Sequence, residues 1–181
     1  MKKVCIFCGS SMGKDPIYKE EATKVANYLY EQKIDLVYGG GNVGIMKILA
    51  DTTLDLGGKA IGVIPQFLMD IEVGHKSLTK LHVVDSMQDR KRFLVEISDG
   101  FIAFPGGIGT LDELAEILTI AQLRVYDKPL GIYNFNGFFD HLLKFIEHAT
   151  NEGFIQAAHY NNLIIDDDIE RLIQRMQNFK P

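Results

Sequence analysis

The chain has no tryptophan, two cysteines and five prolines among its 181 residues, and no apolar run approaches the ~20 residues that a membrane-spanning helix needs. That missing run argues against a membrane partner. Two cysteines are too few for a disulfide-stapled scaffold or a four-thiolate zinc site. An excess of positive charge is missing as well: 19 basic against 24 acidic residues leave a net charge of −5. Duplex nucleic acid demands clustered cations, so no nucleic-acid partner is expected. Disorder and coiled-coil biases are equally absent, with 46% hydrophobic and 24% charged residues, which is ordinary globular usage.

The N-terminal stretch Met1-Lys2-Lys3 leads into an apolar run over residues 4–8 that is too short for a signal peptide. It continues into Gly9-Ser10-Ser11 rather than a cleavage site, so a cytoplasmic location is expected. Cys5 and Cys8 have C-x-x-C spacing. On a strand, however, residues three apart face opposite ways, so the thiols cannot meet and are expected as reduced core residues.

The length suits one domain over residues 1–181, long enough to bury a substantial core. Short apolar runs alternate with amphipathic stretches. Strands are expected at residues 3–8, 35–38, 59–64, 81–84, 100–104, 130–133 and 163–165. Helices are expected after Asp15-Pro16, from the tri-glycine to about residue 56, and over 86–98, 111–125, 138–152 and 169–177. Asp15 reads as a helix N-cap with Pro16 at the first helical position, and Gly57-Gly58 as a stop. Residues 65–79 read as a loop with one short helical turn. The alternation predicts an α/β, Rossmann-like, doubly wound parallel sheet with helices on both faces, which binds ligands at the carboxyl ends of its strands. Three glycine-bearing turns fall at such ends: Gly9-Ser10-Ser11, Gly39-Gly40-Gly41, and residues 105–110.

Gly39-Gly40-Gly41-Asn42-Val43-Gly44 fits G-x-G-x-x-G, but the next strand ends Ile64-Pro65-Gln66 without the acid that would hold a dinucleotide ribose. NAD is therefore not expected. The turn either brings backbone amides to an oxyanion or packs a helix tightly on a strand. Pro105-Gly106-Gly107-Ile108-Gly109-Thr110 leads directly into a helix, which suits a phosphate on unpaired amides, although no Lys-Ser/Thr follows to make a P-loop. Thr110-x-x-Glu113 also fits a capping box. Against that, a carboxylate beside a bound ribose could orient water or stabilise an oxocarbenium-like transition state. Arg90-Lys91-Arg92 puts three cations near a helix start, against the macrodipole, as an anion site would. His141 and His148 share a helix face without a third ligand, so no metal is expected. Asp166-Asp167-Asp168 reads as an N-cap.

These motifs carry a resemblance. P-G-G-x-G-T-x-x-E at residues 105–113, Met87-x-x-Arg90-Lys91, and Tyr38-Gly39-Gly40-Gly41 with Gly44-Ile45-Met46 resemble the LOG ("lonely guy") family. Its members are cytokinin riboside 5′-monophosphate phosphoribohydrolases, formerly labelled lysine decarboxylases. The likeness runs from about residue 4 to residue 165. It implies a Rossmann-like fold, at least a homodimer, and hydrolysis of the N-glycosidic bond of an AMP-like nucleotide without metal or organic cofactor. It makes Arg90 and Glu113 the catalytic pair and gives Gly106, Gly107, Gly109 and Thr110 to the phosphate. Gly9, Ser10, Met87 and Lys91 fall around the nucleotide, and Glu72 becomes a further acidic position near the pocket. One departure stands out: Lys47 follows Gly44-Ile45-Met46, where the family usually has glycine. Two rival readings are a non-catalytic nucleotide or molybdenum-cofactor carrier and a PLP-dependent decarboxylase. A carrier needs no carboxylate by the ribose, and no lysine sits in a convincing PLP pocket.

Overall fold

The computed structural model describes residues 1–72, 74–123, 125–161 and 163–180, with the side chains of Glu72 and Asn161 outside that description. Seven strands form one sheet: β1 (Lys3–Phe7), β2 (Asp35–Tyr38), β3 (Ala60–Pro65), β4 (Lys80–Val84), β5 (Gly100–Ala103), β6 (Leu130–Tyr133) and β7 (Ile164–Asp166). Every pairing is parallel and the order is β4-β3-β2-β1-β5-β6-β7. The chain steps outward from β1 to β4, then returns to lay β5 against the other side of β1. The turns after β1 and β5 therefore leave the sheet side by side, at the reversal point where this architecture opens a crevice.

The central strands read as unbroken apolar runs because both of their faces are covered. On one face lie α1 (Ile17–Glu31), α2 (Gly44–Asp55) and α8 (Ile169–Gln177), which bury Ala22, Val25, Leu29, Leu49, Leu172 and Ile173. The other carries α4 (Met87–Ile97) and α5 (Ile108–Gln122), with Leu94, Val95, Leu114 and Ile117, and α6 (Asp140–Asn151), with Leu142 and Leu143 packed alongside. Cys5 belongs to the second core and Cys8 to the first, and both are free thiols. Their separation is the strand geometry expected from the sequence.

Several local expectations need correction. Residues 65–79 contain a full helix, α3 (Gln66–Glu72), starting directly at the end of β3. A short helix, α7 (Ala157–Asn161), also lies where none was expected. At α1 the helix is measured from Ile17; Pro16 is already helical, and Asp15 still caps it by accepting the Ile17 amide at 3.0 Å. Asp168 caps α8 as expected, accepting the Arg171 amide at 3.0 Å. His141 and His148 are both exposed on α6.

The capping box at Thr110-x-x-Glu113 does not form. The helix starts three residues earlier, at Ile108, with extended Gly107 (φ −101°, ψ −151°) as its N-cap and no side-chain cap bond. Thr110 and Glu113 thus lie within the helix and on its buried face.

Candidate functional site

The turn between β5 and α5 is shaped by glycine at a point of backbone contact. A Cβ on Gly106 would lie 2.1 Å from the Thr110 hydroxyl oxygen and 2.7 Å from the Gly9 amide. Gly9 approaches from the β1 turn, and its amide donates to the Pro105 carbonyl at 3.2 Å. Gly9 therefore spaces the two turns, and its N–H is already engaged. Around Gly107 and Gly109, by contrast, a Cβ would meet nothing within 4 Å. The first helical bond runs from Leu111 N–H to Gly107 C=O at 3.1 Å, which leaves the amides of Ile108, Gly109 and Thr110 without a helical acceptor. Beneath them the Thr110 hydroxyl is buried and has no partner. Buried polar groups are rarely left in that state, and three orphan amides at the positive end of a helix favour an anion. Ser10 stands exposed on the neighbouring turn.

The three consecutive cations of α4 go three different ways. Ser86 caps the helix, accepting the Asp89 amide at 3.0 Å, and Asp89 supplies the acidic first-turn charge that the dipole favours. Arg92 turns outward to Asp89 at 2.9 Å. Lys91 reaches α5, with its ammonium 2.5 Å from Glu116 and 3.3 Å from Asp112; these partners raise its pKa, Glu116 foremost. Arg90 turns inward over the ends of the strands. Its Nε donates to the Val63 carbonyl at 3.2 Å, its Nη2 to the Gly39 carbonyl at 3.3 Å, and its Nη1 points to the Met87 sulfur at 3.9 Å.

Glu113 approaches Arg90 from α5. The two meet at 3.7 Å between Nη1 and Oε1, with side chains only 11% and 10% exposed. This is too long for a hydrogen bond, so the pair attract while both keep bonding capacity for a ligand. Burial pushes the Glu113 carboxyl up from 4.5 to about 7, against the pull of Arg90. Desolvation outweighs the cations Arg90 and Lys91, and the neighbouring acids Asp112 and Glu116 add to the rise. At neutral pH the carboxyl is divided between its two forms, so it can accept or release a proton.

The sequence motifs do not converge completely. Gly106, Gly107, Gly109 and Thr110 lie at the turn between β5 and α5, with Gly9 and Ser10 beside it. Arg90, Glu113 and Met87 form the acid–guanidinium site, and Lys91 is held by acids of α5. The side chain of Glu72 lies outside the described residues. In the tri-glycine turn the glycines serve contact between chain segments. Gly44 has φ +57°, and a Cβ there would lie 2.3 Å from the Ser10 carbonyl; a Cβ on Gly39 would fall 2.0 Å from Arg90 Nη2. Sequence reasoning missed that Gly39 makes room for the guanidinium, and missed the carbonyl cradle of Val63 and Gly39. Lys47 faces outward, 2.8 Å from Asp51 and 3.3 Å from the Asn42 side-chain oxygen. A sizeable hollow lies elsewhere. About 460 Å³ in volume, it is lined by Leu118, Tyr126, Lys128, Ile146, His159 and Tyr160, toward the amino ends of β6 and β7.

Fold and site together define a doubly wound α/β protein with unpaired helix-start amides beside a buried acid–guanidinium pair. The family model described as "Possible lysine decarboxylase" matches residues 46–176. Two Arabidopsis thaliana proteins, named cytokinin riboside 5′-monophosphate phosphoribohydrolase LOG5 and LOG7, are 39% and 40% identical over 99% of this chain and 79% and 83% of their own lengths. An Oryza sativa subsp. japonica protein, named "Probable cytokinin riboside 5′-monophosphate phosphoribohydrolase LOGL2", is 40% identical over 99% of this chain and 74% of its own. The chain belongs to this LOG family. Among solved structures, the molybdenum cofactor binding protein of Rippkaea orientalis superposes with a TM-score of 0.71 at 20% identity, covering 98% of this chain and 97% of its own. The molybdenum cofactor carrier protein of Chlamydomonas reinhardtii gives 0.71 at 17%, covering 98% and 96%. At those identities the likeness is one of fold.

Proposed function

We propose that the chain hydrolyses the N-glycosidic bond of adenosine 5′-monophosphates, N6-modified ones included, to the free base and ribose 5-phosphate. The observation that carries this is a buried carboxyl 3.7 Å from a fixed guanidinium, beside helix-start amides with no helical acceptor. The amides of Ile108, Gly109 and Thr110, with the Thr110 hydroxyl, hold the 5′-phosphate; Gly106 and Gly107 keep the approach clear, and Ser10 closes it from the β1 turn. Ionised Glu113 takes a proton from the water that adds to C1′ and offsets the positive charge developing on the ribose. The C1′–N9 electron pair leaves with the base, which takes up a proton from solvent, and Glu113 then returns the water's proton to solvent. Arg90 donates to the departing base and steadies its charge, and Met87 and Lys91 border the nucleotide.

The active unit is a homodimer of single-domain chains. Ile108, 81% exposed, and Leu111, 41% exposed, begin an apolar stripe on α5 that continues at 3–4 residue spacing through Ala115 and Leu118, and a second copy covering it would flank the site. Sedimentation equilibrium returning a 20.3 kDa species would remove this part. Two buried free thiols suit a reducing cytoplasm; among the described residues no helix is long and apolar enough to cross a membrane.

The test is chromatographic detection of free base after incubation with AMP and N6-substituted AMP. Release should rise with pH and level off above about 7, the value to which burial pushes the Glu113 carboxyl. Glu113→Gln should cut release by about 10³-fold, and a wild-type rate in that variant would refute the role of Glu113. Tight ribose 5-phosphate binding without base release from any nucleotide would make the chain a carrier.

A further inference from the structure

One ion-paired cluster lies outside the site yet is connected to it. His75 is 5% exposed and is bonded on three sides. Its backbone amide donates to the Gly40 carbonyl at 3.1 Å. Its Nδ1 accepts the Ser77 amide at 3.3 Å. Nδ1 is therefore unprotonated, and the ring proton sits on Nε2, which donates to Asp51 Oδ1 at 2.7 Å. Asp51, on α2, is in turn paired with Lys47 one turn earlier, at 2.8 Å. An isolated antiparallel bridge joins Gly41 to Gly74 immediately beside these bonds.

The cluster thus fastens the segment after α3 to the tri-glycine turn. The turn packs closely on the sheet: Gly40 sits at φ +77°, a Cβ on it would lie 3.2 Å from side-chain atoms of Ile64 and Leu81, and a Cβ on Gly62 would lie 2.7 Å from the Gly40 Cα. Its glycines carry no side chain that could make a directed bond, so the bonds from the segment after α3 set its register. The residue next to Gly40 is Gly39, whose carbonyl takes Arg90 Nη2. A shift of this turn moves one of the two carbonyls that aim the guanidinium. It also moves the Gly39 Cα, which leaves Arg90 its space.

We propose that Lys47, Asp51 and His75 act as a positioning chain that holds the Gly39–Gly41 turn in register and thereby aims Arg90 at Glu113. None of the three touches the acid–guanidinium pair. His75 is the positioning residue, oriented by Asp51, and Lys47 supplies the cation that keeps Asp51 in place. On this account the lysine that departs from the family pattern leaves the pocket unchanged and completes the outer end of the chain. The inference rests on the proposed hydrolase reading for its kinetic effect only.

The test compares His75→Leu, which removes both ring bonds, with His75→Gln, which keeps an N–H near the Nε2 position for Asp51. With AMP as substrate, His75→Leu should lower kcat on the order of ten-fold with KM changed less than two-fold, because a small misalignment of a reacting group costs rate rather than affinity. His75→Gln should recover most of it. The second readout needs no turnover: titration of the Glu113 carboxyl by carbon-13 NMR. The charged and titratable groups that act on that carboxyl are Arg90 and Lys91 from α4, Asp112 and Glu116 from α5, Cys5 on β1 and Cys8 just beyond it. His75→Leu alters none of these residues, so an upward move of the midpoint reports a displaced Arg90. An unchanged midpoint in His75→Leu overturns the inference, as does a variant that loses melting temperature but keeps kcat, or a glutamine variant as impaired as the leucine one. Absence of base release from the wild type would refute the hydrolase reading instead and leave the titration to judge the positioning chain.

Discussion

Two glycine-rich turns leave neighbouring regions of the same sheet edge and enter helices, yet they are put to opposite uses. In the turn after β2, a side chain on Gly39 or Gly44 would collide with Arg90 or with the Ser10 main chain; its glycines are filled from outside by protein. In the turn after β5 only Gly106 is crowded, while Gly107 and Gly109 border open space below which the Thr110 hydroxyl has no partner. A glycine pattern alone does not distinguish a ligand cradle from a packing joint. What distinguishes them is the content of the space the missing Cβ would occupy.

The sharpest challenge to this contrast is Gly39→Ala. A methyl 2.0 Å from Arg90 Nη2 forces the guanidinium off its carbonyl, so kcat for base release should fall about 10²-fold while melting shifts by a few degrees. Unaltered turnover would mean that Arg90 does not work from this position.

Glu113→Gln tests the same pair through stability. A carboxyl whose folded pKa is about 7 against 4.5 unfolded binds more protons folded than unfolded between those values, so its contribution to stability falls as pH rises through that window. The glutamine variant should match wild type below pH 4.5 and gain progressively above it, by about 3 kcal/mol at pH 8. Urea midpoints across pH would show this, and a constant difference would mean that burial does not control the carboxyl.

The smallest effects come from a matched pair. Gly44→Ala, at φ +57° and 2.3 Å from backbone, should cost about 2 kcal/mol of stability, with ribose 5-phosphate binding retained. Gly107→Ala meets nothing within 4 Å and should change stability by less than about 0.5 kcal/mol. Its methyl intrudes on the anion's space, so calorimetric binding of ribose 5-phosphate should weaken roughly three- to five-fold. The reverse pattern would exchange the roles of the two turns.

Much of the fold was legible in the sequence because strands covered on both faces are written as unbroken apolar runs, as in Leu36-Val37-Tyr38, and because Asp168 and the Gly57-Gly58 stop carry their own chemistry. Gln66–Glu72 was not legible: it follows Pro65 directly, and its helical face is too short to show a period. The Thr110-x-x-Glu113 pattern was legible but ambiguous. A capping box and the buried face of a helix share that spacing, and only the start of the helix at Ile108 separates them. Arg90 stood out as a charge set against a dipole, but its cradle did not, since a carbonyl acceptor leaves no trace in residue type. His75 passed unremarked inside a segment read as loop, and its partner Asp51 lies 24 residues away.

The contact between Gly9 and Gly106 has a consequence for how this sequence can drift. A Cβ on Gly106 would lie 2.1 Å from the Thr110 hydroxyl and 2.7 Å from the Gly9 amide, so Gly106 is closed to any larger residue unless Thr110 and the β1 turn retreat at the same time. Between the locked Gly106 and the buried Thr110 stands Ile108, whose side chain its own chain does not constrain. The motif is therefore a rigid frame around one tunable letter, and variation that survives in it should collect at Ile108.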